Sequence, residues 1–163
     1  MSMQYFVKMG EMKVSSAPDV LSSSSLGSCV GVVIFDKKKK IGGLAHVMLP
    51  FKEITPNEEL SPKFGNQAVI LLLRGLEKMG CEKTSLEAKF AGGADMFLEL
   101  EGAQDIGKRN AEEVRNALKA TGIRIVGEDT GGNHGRTVSF NLDTGLYSIT
   151  IRFEICLCAI HNG

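Results

Sequence analysis

The chain has 163 residues, 43% of them hydrophobic, which is enough for one domain over residues 1–163 with a core that needs no disulfide or metal staples. Nineteen Lys and Arg balance nineteen Asp and Glu, so there is no electrostatic footprint for nucleic acid or an anionic membrane. No apolar run approaches the roughly 18 residues that span a bilayer, and the opening MSMQYFVKMGEMKV lacks the charged lead and apolar stretch of a signal peptide. Residence in the cytoplasm without membrane insertion is therefore expected, with the four cysteines reduced.

In chain order, QYFVKMGEMKV (4–14) reads as an edge strand or a bent pair of short ones. The serine run Ser22 to Ser25 is too short for a tether. VGVVIF (30–35) and IGGLAHVML (41–49) are apolar and β-branched enough for buried strands, joined by a solvated lysine turn at Lys37 to Lys40. A first helix is expected with Ser61 as its cap, Pro62 at its first position and Gly80 as its stop. Phe64, Ala68, Leu71, Leu72 and Met79 form its inner face. A second helix is expected from about Asn110, with Glu113 as capping-box partner, to Gly122; Ala111, Val114, Ala117 and Leu118 are its stripe. IRIVGED, RTVSFNL and LYSITIRF follow as strands, the last two joined by a turn through Asp143, Thr144 and Gly145. Many strands with two interspersed helices predict an α+β domain with helices packed over sheet.

Chemistry concentrates at one junction. LSSSSLGSCVGVVIFD (21–36) sets Cys29 where a glycine-broken serine stretch meets a buried strand. A thiol nucleophile needs a base within hydrogen-bond reach, and the chain has three histidines: His46, His134 and His161. If the two apolar runs pair as a hairpin, a two-residue turn at Lys37 and Lys38 puts Cys29 directly across from His46, about 5 Å apart at Cβ. A four-residue loop moves the pair to a diagonal on the same face, and a three-residue loop puts them on opposite faces.

The remaining motifs carry less. AGGADMF (91–97) and EDTGGNHGR (128–136) each follow a strand, and their glycines suit either tight turns or close backbone approach to a ligand. Neither matches a P-loop or a dinucleotide fingerprint. The two DTG strings, at Asp129 and Asp143, lie too close together for an aspartic protease pair. Cys156, Cys158 and His161 in the tail lack a fourth zinc ligand at conventional spacing, and Cys81 has no evident base. No metal or cofactor is expected.

Six strings occur together in order: LGSCVGVVIFD, GGLAHVMLP, KFGNQAVILLL, EAKFAGGADMF, IGKRNAEEV and EDTGGNHGR. In this combination the chain, over about residues 5–145, resembles CheD, the chemoreceptor glutamine deamidase family of bacterial and archaeal chemotaxis. The resemblance implies that Cys29 of the GSC string is the nucleophile and His46 of the AHVMLP string its base. It implies a third member six positions before the cysteine, commonly threonine and here Ser23, with Ser22 and Ser24 as alternatives in the same run.

It further implies packed mixed β-sheets with two main helices outside, like the toxin deamidases related to cytotoxic necrotizing factor. The substrate would be a glutamine on a receptor helix, deamidated through a Cys29 thioester, and the same chemistry permits removal of glutamyl methyl esters. The expected resting pair is a Cys29 thiolate with a His46 imidazolium. Backbone N–H groups around Ser28 and Cys29 are the expected oxyanion donors. Ser28, Gly92, Gly93, Gly131 and Gly132 would line the substrate groove, with Asp129 and Arg136 shaping its wall. A second implied partner is the CheY-P phosphatase CheC, competing for that groove. The competing classes are a non-catalytic module that only grips a receptor or CheC, and a general cysteine protease or amidase.

Overall fold

The structure, a computed structural model, describes residues 1–96 and 105–151. Strands β1 (Gln4–Phe6), β2 (Met12–Ser16), β3 (Val20–Leu26), β4 (Val30–Asp36) and β5 (Ile41–Val47) precede helix α1 (Gly65–Lys78). A 3-10 turn (Lys83–Ser85), β6 (Glu87–Gly92), helix α2 (Ile106–Thr121), β7 (Arg124–Thr130), β8 (Arg136–Asn141) and β9 (Leu146–Ile151) follow. The strands form two mixed sheets, one ordered β1-β3-β8-β9 and the other β2-β5-β4-β6-β7. Only the β1–β3 and β6–β7 pairs are parallel. The α+β class and the mixed sheets with two helices match the expectation.

Strand β4 shows why the layers stack as they do. Every residue from Val30 to Asp36 is buried, because side chains alternate between two covered faces. Val30, Val32 and Ile34 point to α1 and α2, joining Leu72, Leu76, Val114 and Leu118 in one core. Cys29, Val33 and Phe35 point the other way, onto Leu21, Leu26, Val138 and Phe140 of the four-stranded sheet. Each such leucine contributes about 1.5–3 kcal/mol on burial. The molecule thus has three layers: helices, five-stranded sheet, four-stranded sheet.

Three expectations are corrected. The helix placed from Ser61 begins at Gly65, because Met48 and Leu49 N–H bond to the Lys63 carbonyl and Phe64 bridges Leu49. That holds Phe64 extended, at φ −105 and ψ 135, so the α-helical turn starts one residue later. Its inner face is carried by Ala68, Val69, Leu72 and Leu76, while Met79 follows the helix and is 41% exposed.

Helix α2 begins at Ile106 rather than near Asn110, and Asn110 is a buried interior residue, not a cap. Gly107 disguises that first turn in the sequence. A Cβ there would stand 2.1 Å from the Ala94 carbonyl oxygen, so only glycine lets the helix approach this closely.

The opening stretch is the pair of short strands that the sequence allowed, β1 and β2, placed in different sheets. The serine run is the body of β3, with Leu21, Ser23 and Leu26 fully buried. The tail residues Cys156, Cys158 and His161, and Phe97 of the AGGADMF string, lie outside the described residues.

Candidate active site

The β4–β5 connection sets the site. Asp36 is buried, and its Oδ1 accepts hydrogen bonds from Lys38 N–H at 3.0 Å and Lys39 N–H at 2.9 Å. Lys40 N–H closes onto the Asp36 carbonyl at 2.8 Å, which fixes a four-residue turn. The register is therefore Gly31 opposite His46 and Val30 opposite Val47. Cys29, two residues before Gly31, lies diagonal to His46 on the face that looks toward the four-stranded sheet.

From that sheet β3 supplies Ser23. Ser23 and His46 are both 0% exposed and Cys29 is 9% exposed, so a substrate meets the thiol first and the imidazole only through it. Ser23 Oγ donates to the Val7 carbonyl at 2.6 Å and stands 2.7 Å from His46 Nδ1. A hydroxyl has one proton, and it is committed to Val7. Nδ1 is therefore the donor to Ser23, and the neutral ring keeps its lone pair on Nε2. Nε2 is buried and has no hydrogen-bond partner among the described residues. Ser22 and Ser24, the neighbours in the run, are only partly buried, and neither side chain bonds the ring.

Electrostatics differ from the resting ion pair expected from the sequence. Burial lowers the His46 pKa to about 4 and raises that of Cys29 above its ordinary value. Desolvation is the cause in both cases, with no charge among the described residues offsetting it. Burial thus disfavours the charged form of each group, which favours proton transfer in step with attack over a preformed ion pair.

Loop 27–29 is held by its carbonyls. Ala94 N–H bonds to Gly27 O at 2.8 Å, Gly93 N–H to Cys29 O at 2.9 Å, and Asn110 Nδ2 to Ser28 O at 2.8 Å. The N–H groups of Ser28 and Cys29 have no hydrogen-bond partner among the described residues. Gly92, at φ +123, is compulsory here: a Cβ would stand 2.1 Å from the Cys29 carbonyl oxygen. Its own carbonyl accepts from Gly131 N–H at 3.1 Å and from Arg136 Nη1 at 3.4 Å. Gly132 O accepts from Asp95 N–H at 2.8 Å.

The two glycine strings thus interlock behind the Cys29 loop. Gly93, Gly131 and Gly132 also line a cavity of about 330 Å³ with Lys108 and Arg115, but Cys29 is not among its lining residues. The guanidinium of Arg136 is buried and reaches Asp129 at 3.4 Å. No group of three or more His, Cys, Asp or Glu side chains able to hold a metal ion occurs among the described residues.

Sequence reasoning missed Asn110, whose Nδ2 reaches both Ser28 O and Met48 O. The available signal was a lone amide in the otherwise apolar helical stripe Ala111, Val114 and Leu118. Tyr147 was also missed: its hydroxyl donates to the Gly31 carbonyl at 2.7 Å, opposite His46, and burial pushes its pKa up.

A thiol, an imidazole with a free Nε2 and two unpaired backbone N–H groups can transfer an acyl group through sulfur. The thiol and the imidazole lie between the two sheets of an α+β scaffold. The family model described as CheD chemotactic sensory transduction matches residues 48–151. The "Probable chemoreceptor glutamine deamidase CheD" of Methanococcus vannielii is 44% identical over 146 residues, covering 90% of this chain and 92% of the relative. The "Chemoreceptor glutamine deamidase CheD" of Halalkalibacterium halodurans is 42% identical, covering 88% and 90%. That of Clostridium novyi, named as probable, is also 42% identical, over 88% and 90%. The chain belongs to the CheD family. Coverage of 90% takes in Ser23, Cys29 and His46 wherever the matched span begins.

Proposed function

We propose that the chain hydrolyses glutamine side chains of chemoreceptors to glutamate, with Cys29 as nucleophile, His46 as base and Ser23 as orienter of the ring. The carrying observation is the 2.7 Å contact between Ser23 Oγ and His46 Nδ1, which leaves Nε2 as an unused base on the face that carries the thiol. The names of its relatives supply the substrate class.

Nε2 takes the Cys29 proton as sulfur attacks the carboxamide carbon, forming a tetrahedral adduct. The N–H groups of Ser28 and Cys29 receive its oxyanion. The His46 imidazolium then protonates the departing nitrogen, the C–N bond breaks and ammonia leaves a thioester. Water, deprotonated by Nε2, attacks the thioester; the C–S bond breaks, the thiol regains its proton and glutamate remains. A glutamyl methyl ester enters the same cycle with methanol as leaving group.

The chain acts in the cytoplasm, where the modified helices of the receptors lie, and no described helix is long and apolar enough to cross a membrane. A CheC-type phosphatase is a second occupant of the same mouth, competing with receptor. The test is intact-mass analysis of a receptor cytoplasmic fragment incubated with wild-type and Cys29→Ala protein. Exchange of –NH2 for –OH at glutamine with wild type alone supports the reading. No exchange with any receptor fragment, together with tight binding of that fragment, would leave a gripping module instead.

A further inference from the structure

Of the three carbonyls that hold the Cys29 loop, two are bonded by backbone and the middle one, Ser28 O, by the Asn110 side chain. Asn110 is 0% exposed in the inner stripe of α2. Burying an amide there is unfavourable for each polar group left unbonded, and Oδ1 is such a group. Helix packing alone gives no reason for it. Its two Nδ2 hydrogens go to Ser28 O at 2.8 Å and Met48 O at 3.1 Å. A reversed amide would set Oδ1 against both carbonyl oxygens, so the orientation is fixed.

The place of this amide in the sheet is specific. β4 and β5 pair as far as Val30 and Val47, and beyond them Met48 and Leu49 turn their N–H groups to Lys63. Asn110 fills the fork where the strands part, tying the Cys29 branch to the His46 branch. A peptide unit is planar and trans, so its C=O and N–H point in opposite directions. Holding Ser28 O toward α2 aims the N–H of the same unit, that of Cys29, away from α2 toward the layer where thiol and imidazole lie. The bond also polarises the amide and strengthens that N–H as a donor.

We propose that Asn110 is a positioning residue for the oxyanion site: by holding Ser28 O it sets the plane of the Ser28–Cys29 peptide. This rests on Cys29 being the nucleophile. The test compares Asn110→Ala and Asn110→Ser with wild type in three measurements: deamidation kinetics on a receptor cytoplasmic fragment, alkylation of Cys29 by iodoacetamide, and thermal unfolding. Alkylation is a displacement that forms no oxyanion, so it reads thiol access and acidity separately from oxyanion binding.

The expected result is kcat at least about tenfold lower in Asn110→Ala, with Asn110→Ser intermediate because it keeps one donor. KM stays within about threefold and the alkylation rate within about twofold at every pH. Wild-type kcat in Asn110→Ala overturns the proposal. So does alkylation that falls in step with kcat, or loss of cooperative unfolding in both variants, since Asn110 is then a packing residue. Failure of the underlying reading is a different result: Cys29→Ala deamidating as fast as wild type.

Discussion

Ser23 accepts a hydrogen bond from Nδ1 of His46 at 2.7 Å because its own proton is committed to the Val7 carbonyl oxygen at 2.6 Å. The chain of donors runs one way, from ring to hydroxyl to backbone, and so selects the tautomer with a basic Nε2. Ser23→Ala removes the acceptor and leaves Nδ1–H and Val7 O buried without partners. Deamidation is expected to drop roughly 10- to 100-fold in kcat. Stability is expected to fall by about 1–3 kcal/mol. Ser23→Thr keeps the hydroxyl and is expected to retain activity within a few-fold. Steady-state kinetics and urea unfolding of the two variants check both numbers.

The acid limb of activity is set by His46. Burial holds its pKa at about 4, against an ordinary value of 6.5, so the free base persists well into acid. The pH profile of kcat/KM is expected to lose its acid side near pH 4 rather than near pH 6.5. The same depression acts on stability. Between pH 6.5 and about 4 the unfolded chain binds a proton that the folded chain refuses, so this contribution is full above pH 6.5 and is lost as pH falls through the window. Urea midpoints at pH 7 and pH 5 should differ in that direction, and His46→Gln should shrink the difference.

Cys29 is expected to behave as a sluggish thiol in the free protein. Burial raises its pKa above the ordinary 9.0, and no cation among the described residues opposes that. Iodoacetamide alkylation at pH 7 should therefore run slower than with a free thiol, with a rate still rising beyond pH 9. A plateau below pH 8 would mean a preformed thiolate–imidazolium pair.

Gly92 tests the scaffold behind the nucleophile. At φ +123, and with the Cys29 carbonyl oxygen 2.1 Å from where a Cβ would sit, Gly92→Ala has to displace backbone against backbone. A loss of about 3 kcal/mol or more is expected, together with deamidase activity. Thermal unfolding and turnover of the same preparation measure the two effects.

The sequence carried the phase of the site better than its surroundings. Alternation in VGVVIF and IGGLAHVML is enough to place Cys29 and His46 on one face for any even-length turn. The choice between direct and diagonal pairing depended on Asp36, whose carboxylate captures Lys38 and Lys39 N–H and makes the loop four residues long. Strand β3 was hidden because serine has little strand propensity. It pairs in the sheet because Leu21 and Leu26 bury while Ser23 finds two polar partners. Asn110 was misread as a helix start because Gly107 weakens the first turn of α2, and the reason for that glycine, the Ala94 carbonyl, lies in another element. Local periodicity does not encode contacts of that kind.

The central claim is that Cys29 carries the acyl group between glutamine and water. The most direct measurement is mass spectrometry of a receptor cytoplasmic fragment treated with wild-type or Cys29→Ala protein in H2(18)O. Wild type should yield glutamate bearing one solvent oxygen at each modified glutamine, and an enzyme-bound acyl adduct on Cys29 should be trappable by acid quench. Cys29→Ala should yield neither. Equal conversion by Cys29→Ala, or an adduct on any other residue, would contradict the account.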